Sequence, residues 1–226
     1  MYTPISSCLR KASSRIKPSY RTVTASELET LGLKVDSSVS PSHRKILFGI
    51  VSKLPVPLIA RCNVAKISFE DLGASAKYYP NHGKYKPDGG LVLNSRIFDD
   101  PPTTKNDEGL EVPAIDFVLI HEMGHGFDKR EDTGVEMCLD QDWLELSGWS
   151  ETPKEGLMQL RIQEEGYPEV LGEWYYSPEA GFPRFYGRRN PWDDWADAFA
   201  YYLLGCKSQL PEGKIKYFDK KLSAYL

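Results

Sequence analysis

The chain has 226 residues, of which 41% are hydrophobic and 27% are charged, and its formal net charge is −4. These values exclude a disordered or collagen-like chain and predict one folded, soluble domain of ordinary size. Charges of both signs are spread along the sequence, so nothing favours a nucleic acid or an anionic membrane surface as a partner. We therefore expect a protein that binds neither nucleic acid nor membrane, and we expect a monomer.

Residues 1–40 are expected to form a leader, and residues 41–226 the folded domain. The stretch from Met1 to Arg21 is rich in Ser, Lys and Arg, which is typical of a flexible segment. It lacks the apolar core of a signal peptide, and no stretch approaches the roughly 20 apolar residues that span a bilayer. We expect the protein to be cytoplasmic as made, or exported without a signal peptide. A short helix is predicted from Ser26 to Leu33.

The first part of the domain is predicted to combine a helix with strands. Ser40 and Pro41 suit the cap and the first turn of a helix that we expect to reach Lys53. Apolar and β-branched residues between Pro57 and Phe69 predict one or two strands. The run from Gly89 to Leu93 predicts a further strand, which we place at the edge of a sheet.

The second part of the domain is predicted to be mainly helical. An apolar run from Ile115 to Ile120 leads into two histidines, and three further helices are expected downstream. Their expected ranges are Asp140 to Leu146, Pro191 to Leu204, and a segment after Pro211. The intervening residues up to Asn190 are weakly patterned and are typical of a substrate-facing insertion.

The run from His121 to His125 has the pattern HExxH. Residues four apart lie on one face of a helix, so His121 and His125 direct two imidazoles to one point. Glu122 directly follows the first histidine, which places its carboxylate beside a metal and allows it to act as a general base. The pattern predicts a Zn2+ site whose cation polarises a carbonyl and activates water.

The same pattern can arise by chance on an amphipathic helix, and two observations oppose that interpretation. The histidines follow the apolar run Phe117 to Ile120, so we expect their helix to be buried, and buried histidines require partners. An acidic helix that can supply those partners follows near residue 190. The small residues Gly124 and Gly126 would allow another element to approach the histidine helix closely.

The acidic helix begins at Asn190, with Pro191 at its first position and aspartates in its first turn. The helix dipole favours aspartate at a helix start, which by itself explains one or two of these residues. Asp197 lies in the second turn among alanine and phenylalanine, where it would be buried without a partner. Asp193 and Asp197 share a face, so one can bind zinc while the other orients a zinc-binding histidine.

These residues together resemble the gluzincin metallopeptidases, and within them the group of anthrax lethal factor and Pro-Pro endopeptidase. In that group an aspartate stands three residues after the second histidine of HExxH, and in this chain Asp128 stands three residues after His125. It has a later helix of the pattern acid-x-x-Ala-acid-x-Phe, which Asp193 to Phe199 match. It also has a tyrosine seven residues before the metal-binding acid, the position of Tyr186. The resemblance is strong over Ile115 to Arg130 and Phe185 to Leu204.

The resemblance implies an α+β fold of the zincin-like type, with a small mixed β-sheet packed on the HExxH helix and a helical half after it. It implies a zinc-dependent metalloendopeptidase that hydrolyses peptide bonds through a zinc-bound water activated by a glutamate. The implied roles are zinc ligand for His121, His125 and Asp193, general base for Glu122, oxyanion donor for Tyr186, and partner of a zinc-binding histidine for Asp197.

The third zinc ligand departs from the group, which has Glu where this chain has Asp193. Aspartate is shorter by one methylene, so the two helices must approach each other more closely. Asp194, Asp128 and Glu131 are alternatives for this ligand. Asp193 is preferred because it stands four residues before Asp197.

The expected substrate is a polypeptide in an extended conformation. In the related enzymes an edge strand before the active-site helix pairs with the substrate. The resemblance assigns this role to Gly90, Leu91, Val92 and Leu93. The segment from Trp143 to Phe185 would form the opposite wall of the cleft. Its candidate pocket residues are Trp149, Trp174, Tyr175 and Tyr176.

Two other functions fit the same residues. A structural zinc could serve a protein that holds a partner through its aromatic segment, and four protein ligands would favour it. Glu122 opposes this interpretation, because a structural site has no use for a base. A zinc amidase that acts on a non-protein substrate, such as a cell-wall polymer, is the other alternative. The absence of a recognisable carbohydrate-binding repeat counts against it.

Overall fold

The structure is a computed structural model, and it describes residues 29–30, 33–37, 39–70, 76–79, 89–98, 103–105, 111–129, 136–162 and 170–226. In that part of the chain the fold is α+β, as expected, with helices and small sheets. The α-helices are α1 (Pro41–Val51), α2 (Val56–Arg61), α3 (Ala114–Asp128), α4 (Gln141–Ser147), α5 (Pro191–Leu203) and α6 (Glu212–Leu222). The strands are β1 (Lys34–Val35), β2 (Val64–Phe69), β3 (Ala76–Tyr79), β4 (Gly89–Leu93), β5 (Thr103–Lys105), β6 (Glu111–Pro113), β7 (Met158–Ile162) and β8 (Val170–Tyr176). Short 3-10 helices cover Ser95–Phe98, Met137–Leu139, Tyr186–Arg188 and Lys207–Gln209.

Strand β1 precedes residue 41, the expected start of the domain. It pairs in parallel with β2, and Leu33 and Val39 beside it are buried in the same core. The sheet and the core therefore include residues before 41. Residues 1–28 lie outside the described part of the chain. Of the helix expected from Ser26 to Leu33, the structure describes residues 29–30 as helical.

The main sheet has four strands in the order β1, β2, β4, β3. Strands β1, β2 and β4 run parallel, and β3 runs antiparallel to β4 with Ala76 opposite Leu93. Leu91, Val92 and Leu93 are completely buried. A continuous apolar run of this kind is typical of a strand that is covered on both faces.

The expectation that Gly89–Leu93 forms a sheet edge is wrong. Strand β4 hydrogen-bonds to β2 on one side and to β3 on the other, so both of its edges are occupied. A peptide cannot add to Gly90, Leu91, Val92 or Leu93 without displacing a neighbouring strand. Among the described residues, the two edge strands of this sheet are β1 and β3, and each has no strand on its outer side.

Helix α1 begins where Ser40 and Pro41 predict it, which confirms that prediction. The Ser40 hydroxyl accepts a hydrogen bond of 3.3 Å from the backbone N–H of His43. This bond satisfies one of the donors that a helix start leaves free. The helix ends at Val51, two residues before its predicted end.

The segment after Pro57 begins as a helix and becomes a strand later. Pro57 lies in the first turn of α2, where the missing N–H leaves no helical bond unmade. Leu58 and Ile59 are the buried residues of this helix. Asn63, with a φ of 50°, follows it, and β2 starts at Val64. The prediction of a strand is therefore right for residues 64–69 and wrong for residues 57–61.

The predicted helices of the second half are confirmed as α4, α5 and α6. The weakly patterned region also contains a hairpin of the antiparallel strands β7 and β8, which was not predicted. Trp149, Trp174 and Tyr176 are buried in this region, and the Trp149 ring contacts the other two rings. These three side chains belong to the core, and Tyr175 is half-buried.

Helix α3 contacts the sheet and also packs along α5. Its partners in the sheet are β3 and β4. Phe117, Leu119, Ile120 and Met123 are each at most 3% exposed, so the helix is buried as the apolar run predicts. None of the described helices has the length and apolar character needed to cross a membrane.

Candidate metal centre

Helices α3 and α5 bring two histidines and one aspartate to a common point. The Nε2 atoms of His121 and His125 are 3.2 Å apart. The Oδ1 atom of Asp193 lies 3.9 Å from Nε2 of His121 and 3.6 Å from Nε2 of His125. The two histidines come from successive turns of α3, and the aspartate comes from the first turn of α5.

This triangle of atoms is small enough for one metal ion to contact all three atoms. The circle through three atoms at these separations has a radius of about 2.1 Å, which matches zinc–nitrogen and zinc–oxygen distances. Within the described residues, two groups of side chains could hold a metal ion, and His121, His125 and Asp193 form the one at this triangle. Three protein ligands would leave a coordination position for water or substrate.

The start of α5 sets the orientation of Asp193. The Asn190 side chain caps the helix by accepting a hydrogen bond of 2.7 Å from the backbone N–H of Asp193. Its Nδ2 also donates to Oδ2 of Asp193 at 2.9 Å. One carboxylate oxygen is thus held by the cap, and the other faces the histidines. The cap predicted from the sequence therefore also orients the candidate ligand.

The close approach of α3 and α5 depends on Gly124. A Cβ atom at this position would lie 3.3 Å from Cα of Ala196 and 3.0 Å from Cδ1 of Phe199. Both distances are tighter than ordinary contacts between carbon atoms. A glycine therefore allows α5 to lie close enough to α3 for the short side chain of Asp193 to reach the two histidines.

Asp197 contacts the ring nitrogen of His121 that does not face the other candidate ligands. Nδ1 of His121 donates to Oδ1 of Asp197 at 2.9 Å, which leaves Nε2 of His121 free to bind a metal. Asp197 is completely buried. A carboxylate in this position fixes both the tautomer and the ring orientation of a metal-binding histidine. Nη1 of Arg184 donates to the same oxygen at 3.2 Å.

Asp194, the neighbouring alternative, lies in a different environment. Its Oδ1 accepts from Nζ of Lys214 at 2.5 Å, and both side chains are completely buried. Its Oδ2 accepts from Ser147 at 2.7 Å and from Nε1 of Trp149 at 3.1 Å. These three donors occupy the carboxylate, so Asp194 does not belong to the triangle of candidate ligands.

Asp128 also lies outside the triangle. Its carboxylate accepts a hydrogen bond of 2.7 Å from the backbone N–H of Cys138. Burial raises the pKa of Asp128 to about 6. It forms a separate group with Glu136 and Cys138. Glu131, the remaining alternative for the third ligand, is outside the described residues.

Electrostatic effects connect Glu122 to the triangle. Glu122 is 8% exposed. Burial alone would lower the pKa of His125, but the interaction with Asp193 and the charge of Glu122 raise it above its ordinary value. Burial alone would raise the pKa of Asp193, but its interactions with His125 and His121 lower it. The aspartate is therefore ionised at neutral pH, as a metal ligand must be.

Tyr186 lies beside the first histidine, in the short 3-10 helix that precedes α5. Its ring centroid is 6.0 Å from that of His121. The guanidinium groups of Arg184 and Arg189 lie 5.5 and 4.9 Å from the centre of the tyrosine ring. Burial, together with the charge of Asp193, raises the pKa of Tyr186 to about 12. The phenol is therefore protonated at neutral pH and can donate a hydrogen bond.

Three features of the site were not predicted from the sequence. Arg184 and Lys214 each pair with a buried aspartate of α5, although they lie outside that helix. Gly187 is the third, because a Cβ there would lie 3.3 Å from both Cα of Asp194 and Oδ2 of Asp197. Local patterns carry no signal for the two ion pairs, because each joins residues from separate elements. For the close approach, the sequence signal was Gly187 itself, directly after Tyr186.

No family model, curated protein or solved structure matches this chain. Function is therefore inferred from the geometry and the chemistry of the site.

Proposed function

We propose that the protein is a zinc-dependent metalloendopeptidase of the gluzincin type, with a zincin-like fold. The observation that carries this proposal is the triangle formed by Nε2 of His121, Nε2 of His125 and Oδ1 of Asp193. Its size fits zinc, and two nitrogen atoms with one carboxylate are a usual ligand set for a catalytic zinc. When bound, the ion would polarise the scissile carbonyl and lower the pKa of a water to about 7.

Glu122 is the proposed general base. Its position directly after His121 on α3, and its effect on the pKa of His125, support a carboxylate next to the reacting atoms. It would accept a proton from the attacking water as the water oxygen bonds to the carbonyl carbon. It would then deliver that proton to the amine nitrogen as the C–N bond breaks.

Tyr186 is the proposed hydrogen-bond donor to the carbonyl oxygen. This oxygen gains negative charge as the tetrahedral intermediate forms, and a preorganised donor there is worth about 3 kcal/mol. The raised pKa of Tyr186 supports this role, since the phenol keeps its proton in neutral solution.

An extended polypeptide is the proposed substrate, and β3 is now the proposed pairing strand in place of β4, whose two edges are occupied. Strand β3 has a free outer side among the described residues and contacts α3, which carries the histidines. An extended chain could add to that side through backbone hydrogen bonds. Residues Gly90 to Leu93 would then support β3 from its other side.

Glu122→Gln tests the proposed reaction. We expect the variant to keep about one zinc per chain and to lose about 100- to 10,000-fold in turnover, because the base is removed while the ligands remain. The control is Glu145→Gln, the same substitution at an exposed glutamate of α4. Zinc content and cleavage of a peptide library are measured for both variants.

Unchanged turnover in Glu122→Gln would refute the mechanism. Full zinc content without cleavage of any peptide by the wild-type protein would favour a structural zinc. Degradation of cell-wall polymer in place of peptides would favour the zinc amidase.

A further inference from the structure

Asp197 carries a buried negative charge that the histidine contact alone does not balance. Its side chain is completely buried, and its Oδ1 accepts from both His121 and Arg184. Its Oδ2 is buried without a hydrogen-bond partner in the described part of the chain. An ionised carboxylate in such surroundings requires a cation or further donors. In the described residues, the ionic partner that pairs with Asp197 besides His121 is Arg184.

Arg184 is held between the two helices that form the metal centre. Its guanidinium lies 4.5 Å from the centre of the Phe117 ring on α3. The carbonyl of the preceding residue, Pro183, accepts a hydrogen bond of 3.3 Å from the hydroxyl of Tyr201 on α5. Both the backbone and the side chain of this segment are thus attached beside His121.

We propose that Arg184 is a positioning residue that acts on His121 through Asp197. The guanidinium holds Oδ1 of Asp197 at the point where that oxygen accepts from Nδ1 of His121. This orients the imidazole so that its Nε2 faces Asp193 and His125. Partners of this kind change metal affinity about 10- to 100-fold when they are removed. The inference rests on the proposed function, because it requires His121 to bind the metal.

Arg188 provides a matched control from the same segment. Its guanidinium lies 5.9 Å from the ring centre of Phe182 and 5.4 Å from that of Phe185. It thus shares with Arg184 the positive charge and the contact with aromatic rings. Arg184 also contacts Asp197, whereas Arg188 makes no such contact among the described residues. Arg188→Met should therefore leave zinc affinity unchanged.

A double-mutant cycle separates an action through Asp197 from a purely structural role. The affinity for zinc alone is measured by chelator competition for the full-length wild type, Arg184→Met, Asp197→Asn and the double variant. We expect a loss of about 10-fold for Arg184→Met and about 10- to 100-fold for Asp197→Asn. The double variant should equal Asp197→Asn, because Arg184 then has no charged carboxylate to hold.

Arg184→Lys is the conservative variant, and it keeps the test valid if Arg184→Met fails to fold. A lysine keeps the charge but lacks the planar fork, so zinc affinity should recover only in part. Independent, additive losses in the cycle would show that Arg184 acts by packing on Phe117, and would overturn the inference. Wild-type affinity in both Arg184 variants would overturn it as well. A wild-type protein without zinc affinity would instead overturn the proposed function itself.

Discussion

Asp193 and Asp194 are consecutive residues of α5, yet they belong to two different regions of the molecule. Asp193 faces His121 and His125, whereas Asp194 faces Lys214 on α6 and Ser147 on α4. Neighbouring side chains on a helix point about 100° apart, so one step along the chain changes every partner. Burial is similar, at 9% and 0% exposure, and therefore does not distinguish the two roles.

The pKa directions of the two aspartates differ as their partners do. The interactions with two histidines lower the pKa of Asp193 despite its burial. Burial raises the pKa of Asp194, and the Lys214 ammonium only partly offsets that effect. Burial also lowers the pKa of Lys214. A buried ion pair of this kind is weak evidence for stability, but the loss of one partner is strongly destabilising. We call the surroundings of Asp193 the metal region and those of Asp194 and Lys214 the ion-pair region. We expect the metal region to control zinc binding and the ion-pair region to control folding.

The largest expected effect comes from Lys214→Met, which leaves Asp194 buried without its cation. We expect the free energy of unfolding to fall by about 3 to 5 kcal/mol, measured by urea denaturation of zinc-saturated protein. Lys216→Met is the control, because in the described part of the chain this exposed lysine of α6 pairs with exposed Glu212, and we expect a change within about 0.5 kcal/mol. The zinc affinity of folded Lys214→Met should remain that of the wild type. A variant that loses zinc without losing stability would reverse the roles of the two regions.

A smaller effect is expected from Asp193→Asn, which removes the charged ligand and keeps the shape of the side chain. Its zinc affinity should fall by at least about 100-fold. This is the largest loss expected when a residue that only hydrogen-bonds to a metal ligand is removed, and loss of a ligand itself should cost no less. Addition of a chelator should lower the melting temperature of the wild type, because zinc binds the folded state, and should hardly change that of the variant. Equal chelator effects in the two proteins would show that Asp193 does not bind the metal.

The smallest effect is expected from Gly124→Ala, which tests the spacing between α3 and α5. The new methyl group would meet Ala196 and Phe199, so we expect a loss of about 1 to 3 kcal/mol in stability together with weaker zinc binding. Gly49→Ala is the matched control in α1, where a Cβ has open space. It should stabilise the protein by about 0.5 to 1 kcal/mol. Tight packing would be refuted if both substitutions stabilised the protein equally.

Much of the fold could be predicted wherever the pattern is local. The starts of α1 and α5 follow from Ser40, Asn190 and the prolines after them, because capping depends on neighbouring residues. The strand order could not be predicted. The apolar run of β4 has the same appearance at an edge and in the centre of a sheet until its neighbours are known. The β7–β8 hairpin was missed although the residues of β7, MQLRI, alternate between apolar and polar, whereas those of β8, VLGEWYY, do not.

The candidate site likewise has features that the sequence predicts and features that it does not. The sequence by itself determined that His121 and His125 share a helix face, that Glu122 is adjacent, and that α5 starts with aspartates, since these relations depend only on spacing within one helix. Only the tertiary structure decided that Asp193 faces the histidines, that Asp194 faces Lys214, and that Arg184 reaches Asp197. Those contacts join residues from separate elements, and they depend on how closely the helices pack, which no local pattern encodes.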